Sequence, residues 1–169
     1  MDGSRKIFRG EMERNAPGRL GFIVDTSPDQ VPACILSNLL YLGSQDCVRK
    51  EVLEKYGITH VLSVGIETPP FEKCDHSVKA IFVECLDLPD TELPAVLKHT
   101  NEFIERCRLD GGKVLVHCNA GVSRSTSVVI GYLMNHQNFT FLQALGLVKN
   151  KRPCVQPNVG FINQLKKLQ

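Results

Sequence analysis

A short apolar run, Lys113-Val114-Leu115-Val116, leads into His117-Cys118-Asn119-Ala120-Gly121-Val122-Ser123-Arg124-Ser125, and a second apolar run follows from Thr126 to Met134. The first run reads as a buried strand and the second as a buried helix. The residues between them must therefore join a strand end to a helix start. A helix start carries unpaired backbone N–H groups and the positive end of a dipole, which together favour an anion. Successive N–H groups in such a turn form a concave nest around phosphate. Cys118 opens the loop and Arg124 closes it, six positions later. Thiolate is favoured at helix N-termini and beside arginine, and the planar arginine fork matches phosphate oxygens. The loop thus sets a nucleophile at the bottom of a phosphate cradle. The plain alternative is an inert, buried cysteine in a strand-to-helix turn.

Composition sets the frame for this motif. A chain of 169 residues, 43% hydrophobic and 22% charged, has enough material for one domain with a real core. Net charge of +2 gives no general argument for a nucleic-acid or membrane partner, and neither is expected. No apolar run approaches the ~18 residues that span a bilayer. Met1 to Asn15 is charged and lacks the apolar stretch of a secretory signal. Seven cysteines, an odd number without CxxC spacing, argue against a disulfide framework and against zinc. No cofactor or metal is expected. A reducing compartment, the cytoplasm and also the nucleus, suits both the cysteine usage and a thiolate nucleophile.

Residues 1–32 mix charges, Gly and Pro with few apolar residues and read as a flexible N-terminal arm, partly ordered at Leu20 to Val24. A docking segment for a partner is the alternative. Residues 33–169 then form the domain. Ala33 to Leu36 and Leu39 to Leu42 read as a hairpin-like strand pair around Ser37-Asn38. Gly43 to Asp46 turns into a helix from Cys47 to Tyr56, stopped by Gly57. Ile58 to Val64 is a β-branched buried strand. Gly65 to Ser77 reads as a loop, and Val78 to Cys85 as another strand that delivers Asp87-Leu88-Pro89-Asp90-Thr91 into a loop. Pro94 opens a helix to about Arg108, with Val96, Leu97, Thr100, Phe103, Ile104 and Cys107 on one face. Thr140 and Gln143 have capping-box spacing for a helix to about Lys149, which Arg152-Pro153 breaks. Asn158 caps a last helix through Leu168. Strands alternating with helices give an α/β class: a central, mostly parallel sheet flanked by helices, with the site at the carboxyl ends of the strands.

The loop resembles the His-Cys-x5-Arg-Ser/Thr signature of the cysteine-dependent protein phosphatases. Ala-Gly-Val-Ser-Arg-Ser followed by Tyr132-Leu133-Met134 is similar to the small atypical dual-specificity phosphatases. Tyr41-Leu42-Gly43-Ser44-Gln45-Asp46 and the run from Arg152-Pro153 through Pro157-Asn158, Gly160-Phe161 and Gln164-Leu165 carry the same likeness, which covers about Ile35 to Leu168. The resemblance implies a protein phosphatase acting on phosphotyrosine and on phosphoserine or phosphothreonine through a phosphocysteine intermediate. Cys118 is then the nucleophile. The N–H groups of Asn119, Ala120, Gly121, Val122, Ser123 and Arg124, with the Arg124 guanidinium, bind phosphate. Ser125 helps the thiolate leave during hydrolysis, or caps the helix, or both. His117 orients the loop. The acid comes from another loop, where Asp87 falls at the family's position and Asp90 is the runner-up. The remaining histidines, 60, 76, 99 and 136, read as structural or solvated. Cys85 is either a buried core cysteine or a protective partner for Cys118. Phosphorylated proteins, kinases of a stress or mitogen pathway among them, are the partners it implies.

Two other functions fit the same fold. One is a non-catalytic phosphoprotein-binding module, for which the cysteine is usually replaced. The other is a phosphoinositide or RNA 5′-phosphatase, whose site tends to be more basic; Asn119, Ala120, Val122 and Ser123 are neutral.

Overall fold

The computed structural model describes residues 29–66 and 77–168, and the backbone of 7–9 and 23–25. Strands β1 (Ile7–Arg9) and β2 (Ile23–Asp25) pair antiparallel. Of the order expected at Leu20 to Val24, the first three residues lie outside the described ones. So do His76 and most of the loop expected from Gly65 to Ser77.

A five-stranded sheet forms the centre. Its strands are β3 (Ala33–Leu36), β4 (Leu40–Ser44), β5 (His60–Gly65), β6 (Lys79–Glu84) and β7 (Val114–Cys118). They lie in the order β3-β4-β7-β5-β6, with β3 antiparallel and the rest parallel. Side chains alternate across such a sheet. Leu40, Leu42, Leu62, Val64, Val114 and Val116 join the larger core, with α2 (Leu93–Leu109), α3 (Arg124–His136), α4 (Phe141–Lys151) and α5 (Val159–Lys166). Tyr41, Val61 and Leu115 point the other way, onto Val52 and Leu53 of α1 (Lys50–Tyr56). Helix α3 is buried from Ser125 through Leu133, which suits its lack of a polar face. The mostly parallel α/β arrangement expected from the sequence is therefore the observed one.

Several boundaries differ, each for a local reason. Ser44 Oγ accepts from Asp46 N–H and caps a short 3-10 turn, Gln45–Cys47, so the helix expected from Cys47 begins at Lys50. It ends where expected, at Gly57 in the left-handed conformation (φ 67°). Strand β7 runs on through Cys118, and α3 begins at Arg124 rather than Thr126. The turn between strand and helix is thus only five residues long, Asn119 to Ser123. Both halves of the Thr140–Gln143 capping box form, and α4 continues to Lys151. Asn158 caps α5 by accepting from Phe161 N–H at 2.9 Å.

Candidate active site

The parallel register places Ser44 beside Cys118, and Gly43 and Ser63 beside His117, at the carboxyl edge of the sheet. From that edge the turn of Asn119 to Ser123 rises into α3. Its carbonyls are all engaged from behind. Gln45 N–H donates to Asn119 O at 3.1 Å, and Gln156 N–H to Val122 O at 2.8 Å. Arg152 donates through Nη2 to Ala120 O at 3.0 Å and through Nε to Gly121 O at 2.9 Å. Ser127 donates to Ser123 O from both its N–H and its hydroxyl, at 2.9 and 2.8 Å. Backbone N–H and C=O point in opposing directions across a peptide plane. Anchoring the carbonyls outward therefore leaves the amides facing the concave side.

Gly121 is obligatory to this path. It sits at φ +66°, and a Cβ there would lie 2.4 Å from Gly43 O. Arg152 is itself buried and also pairs with the Asp29 carboxylate. The Asp29 carbonyl accepts from Ser44 Oγ at 3.0 Å and Cys47 Sγ at 3.2 Å. Asp29 thus contacts the domain from ahead of the expected boundary at residue 33.

Inside the concave turn, the Cys118 sulfur accepts from Gly121 N–H at 3.3 Å and from Ser125 O–H at 3.1 Å. Both groups donate to sulfur, the arrangement that a thiolate accepts. Arg124 occupies the first helical position, and its Nε is buried without a hydrogen-bonding partner among the described residues. That donor is left for an oxyanion. His117 lies behind the cysteine, buried, with Nδ1 3.4 Å from Cys118 O and Nε2 2.6 Å from Ser63 Oγ. A carbonyl only accepts, so Nδ1 carries the proton and Ser63 donates to Nε2. Burial lowers the His117 pKa to about 4, which keeps the ring neutral.

Asp87 reaches the turn from the loop after β6. Its Oδ1 accepts from Ser123 O–H at 2.6 Å and from Asn158 Nδ2 at 2.8 Å. Asn158 N–H in turn donates to Ser123 Oγ at 3.0 Å. The start of α5 presses against the Asp87 loop so closely that a Cβ on Gly160 would meet Pro89 O at 1.9 Å. Asp87 and not Asp90 is the carboxylate tied to the turn of Asn119 to Ser123 among the described residues. Both of these bonds fall on Oδ1.

The residues singled out from sequence meet at one edge: Cys118, Asn119 to Arg124, Ser125 and Asp87. Sequence reasoning missed the support that Arg152 gives the turn and the second bond of Asn158: beyond their part in the family likeness, they were read as a helix breaker and a cap. Cys85 is buried, and burial pushes its thiol up to about 11, with nearby Arg124 opposing the shift. Elsewhere, His60 is buried between Thr59 and Asp110, His99 is exposed, and His136 stacks on Tyr132 with ring centroids 5.1 Å apart.

Residues 40–169 match the dual specificity phosphatase catalytic domain. The chain belongs to that family. It is a small atypical dual-specificity phosphatase, and a protein phosphatase by function. It is 39% identical over 160 residues to dual specificity protein phosphatase 19 of Mus musculus, covering 94% of this chain and 71% of the relative. It is 40% identical over 139 residues to MAP kinase phosphatase with leucine-rich repeats protein 3 of Dictyostelium discoideum, which covers 82% of this chain but 16% of that protein. The crystal structure of human DUSP28 superposes with a TM-score of 0.73 at 32% identity, covering 80% of this chain and 90% of that one.

Proposed function

We propose that this phosphatase works by a two-step displacement with Cys118 as nucleophile and Asp87 as the proton donor. The observation that carries the reading is the double use of Ser123, which belongs to the phosphate loop and holds the Asp87 carboxylate at 2.6 Å. One residue thereby fixes the acid relative to the sulfur. The Cys118 thiolate attacks phosphorus. The bond to the leaving oxygen breaks with its electron pair, and the proton of Asp87 Oδ2 neutralises that oxygen. The amides of Asn119 to Arg124 and the Arg124 guanidinium hold the three non-bridging oxygens as charge shifts among them. In the second step the Asp87 carboxylate takes a proton from water, whose oxygen attacks phosphorus. The S–P bond breaks, and the electron pair returns to sulfur, where the Ser125 hydroxyl donates to the departing thiolate.

The test is a series of aryl phosphates of increasing leaving-group pKa. Asp87→Asn should lose on the order of 10²–10⁴-fold on poor leaving groups and much less on good ones. Equal losses across the series, with the steep dependence appearing in Asp90→Asn, would transfer the role to Asp90. Cys118→Ser should turn over nothing yet still bind phosphate, which also separates an enzyme from a binding module.

For substrates, we place this enzyme on phosphorylated proteins in a reducing compartment, the cytoplasm or nucleus, with stress or mitogen kinases among them. The name of the Dictyostelium relative supports the kinase assignment, and an odd number of cysteines without CxxC spacing supports the compartment. Dephosphorylation of singly phosphorylated kinase segments, run beside phosphoinositides and 5′-triphosphorylated RNA, tests it.

A further inference from the structure

Large apolar side chains left in water are ordinary when scattered singly. Here they gather. Half of the eight exposed large hydrophobics among the described residues lie at the catalytic edge: Ile66, Leu86, Leu88 and Val159, exposed by 59%, 46%, 49% and 63%. Ile66 follows the end of β5 at Gly65, where a Cβ would lie 3.7 Å from Arg124 Nη1. Leu86 and Leu88 stand on either side of Asp87. Val159 follows Asn158, whose amide is 2.8 Å from the Asp87 carboxylate. The same loop carries exposed Asp90 and Glu92 and no cation.

We propose that this rim reads the residues next to the phosphorylated side chain, selecting apolar neighbours and rejecting acidic ones. The proposal rests on Asp87 as the acid. Its leaving oxygen must come to Asp87 Oδ2 while phosphate sits in the turn, so the substrate backbone passes over Leu86 and Leu88. The occupant is therefore the phosphoprotein substrate, because the rim continues the surface that its phosphate enters. Apolar neighbours of the phosphoresidue cover the rim leucines and Val159. An acidic neighbour would meet the like charges of Asp90 and Glu92. Covering about 60 Å² of apolar surface is enough for a tenfold preference, about 1.4 kcal/mol.

The experiment measures kcat/KM of the full chain on phosphotyrosine and phosphothreonine peptides flanked on both sides by Leu, Ala or Glu. An aryl phosphate without flanks is run in parallel. Leu-flanked peptides should exceed Ala-flanked ones by about tenfold, and Glu-flanked peptides should be the poorest. In Leu88→Ser and Val159→Ser the Leu-to-Ala ratio should fall towards one. A flat flank profile beside good aryl phosphate turnover overturns the rim and leaves the phosphatase standing. So does a preference for Glu, or a ratio that neither variant changes. No turnover of peptide or aryl phosphate would remove the phosphatase reading and the rim with it.

Discussion

Acid should weaken this fold through His117. The ring is buried behind Cys118, and burial depresses its pKa from 6.5 to about 4. It is neutral in the folded chain across that interval, whereas in the unfolded chain it protonates below 6.5. The unfolded state therefore binds more protons between the two values, and stability falls as pH drops through that window. The integrated effect is about 3 kcal/mol, a substantial share of the ~5–15 kcal/mol of a typical domain. Geometry supports the sign. A proton on Nε2 would face the Ser63 hydroxyl, which donates to that nitrogen across 2.6 Å. His60, also depressed by burial, acts in the same direction, so one variant must isolate His117. The measurement is urea unfolding of the wild type and of His117→Gln from pH 7 to pH 4.5. The wild type should lose stability faster on acidification, and the gap between the curves should change by about 2 kcal/mol between pH 7 and pH 4.5, most of the full effect. Parallel curves would refute a buried, neutral His117.

Ser125→Ala should slow the second step on the order of 10²-fold, so that phosphoenzyme builds up as a burst in rapid-quench kinetics. Arg152→Met should cost about 3–5 kcal/mol in urea unfolding, because two loop carbonyls and the Asp29 carboxylate lose their donor. Arg152→Lys should recover only part of that, and wild-type stability in the lysine variant would contradict the forked contact. Activity should survive EDTA, since the nucleophile is sulfur, and a strict requirement for added Mg²⁺ or Mn²⁺ would contradict it. Mild peroxide should abolish activity and thiol reductant should restore it, read as turnover before and after.

The sheet and its helices were legible because periodicity reports burial: Val114 and Val116 face one way and Leu115 the other, as alternation requires. Helix starts were less legible. A serine before a helix normally caps it, but the Ser123 hydroxyl bonds Asp87, and α3 begins without a side-chain cap. Cys118 and Arg124 stood in a local motif. The proposed acid, Asp87, was preferred to Asp90 only through a likeness to known phosphatases. Arg152 lay beyond reach, because its partners are carbonyl oxygens, which every residue carries and no residue type announces. Asn158 hid differently: one amide caps α5 with its oxygen and holds Asp87 with its nitrogen, and only the first use has a sequence signal.

The pairing of Asp29 with Arg152 extends the support of the turn beyond the five-stranded sheet. A protein trimmed to start at Ala33 would keep every strand of the five-stranded sheet and every helix. It would lose the carboxylate that neutralises the arginine behind the turn, and the carbonyl that receives Ser44 and Cys47. Such a protein should be less stable, because the buried arginine is left without its carboxylate. Asp29, ahead of the first strand of that sheet, is part of the foundation on which the turn of Asn119 to Ser123 stands.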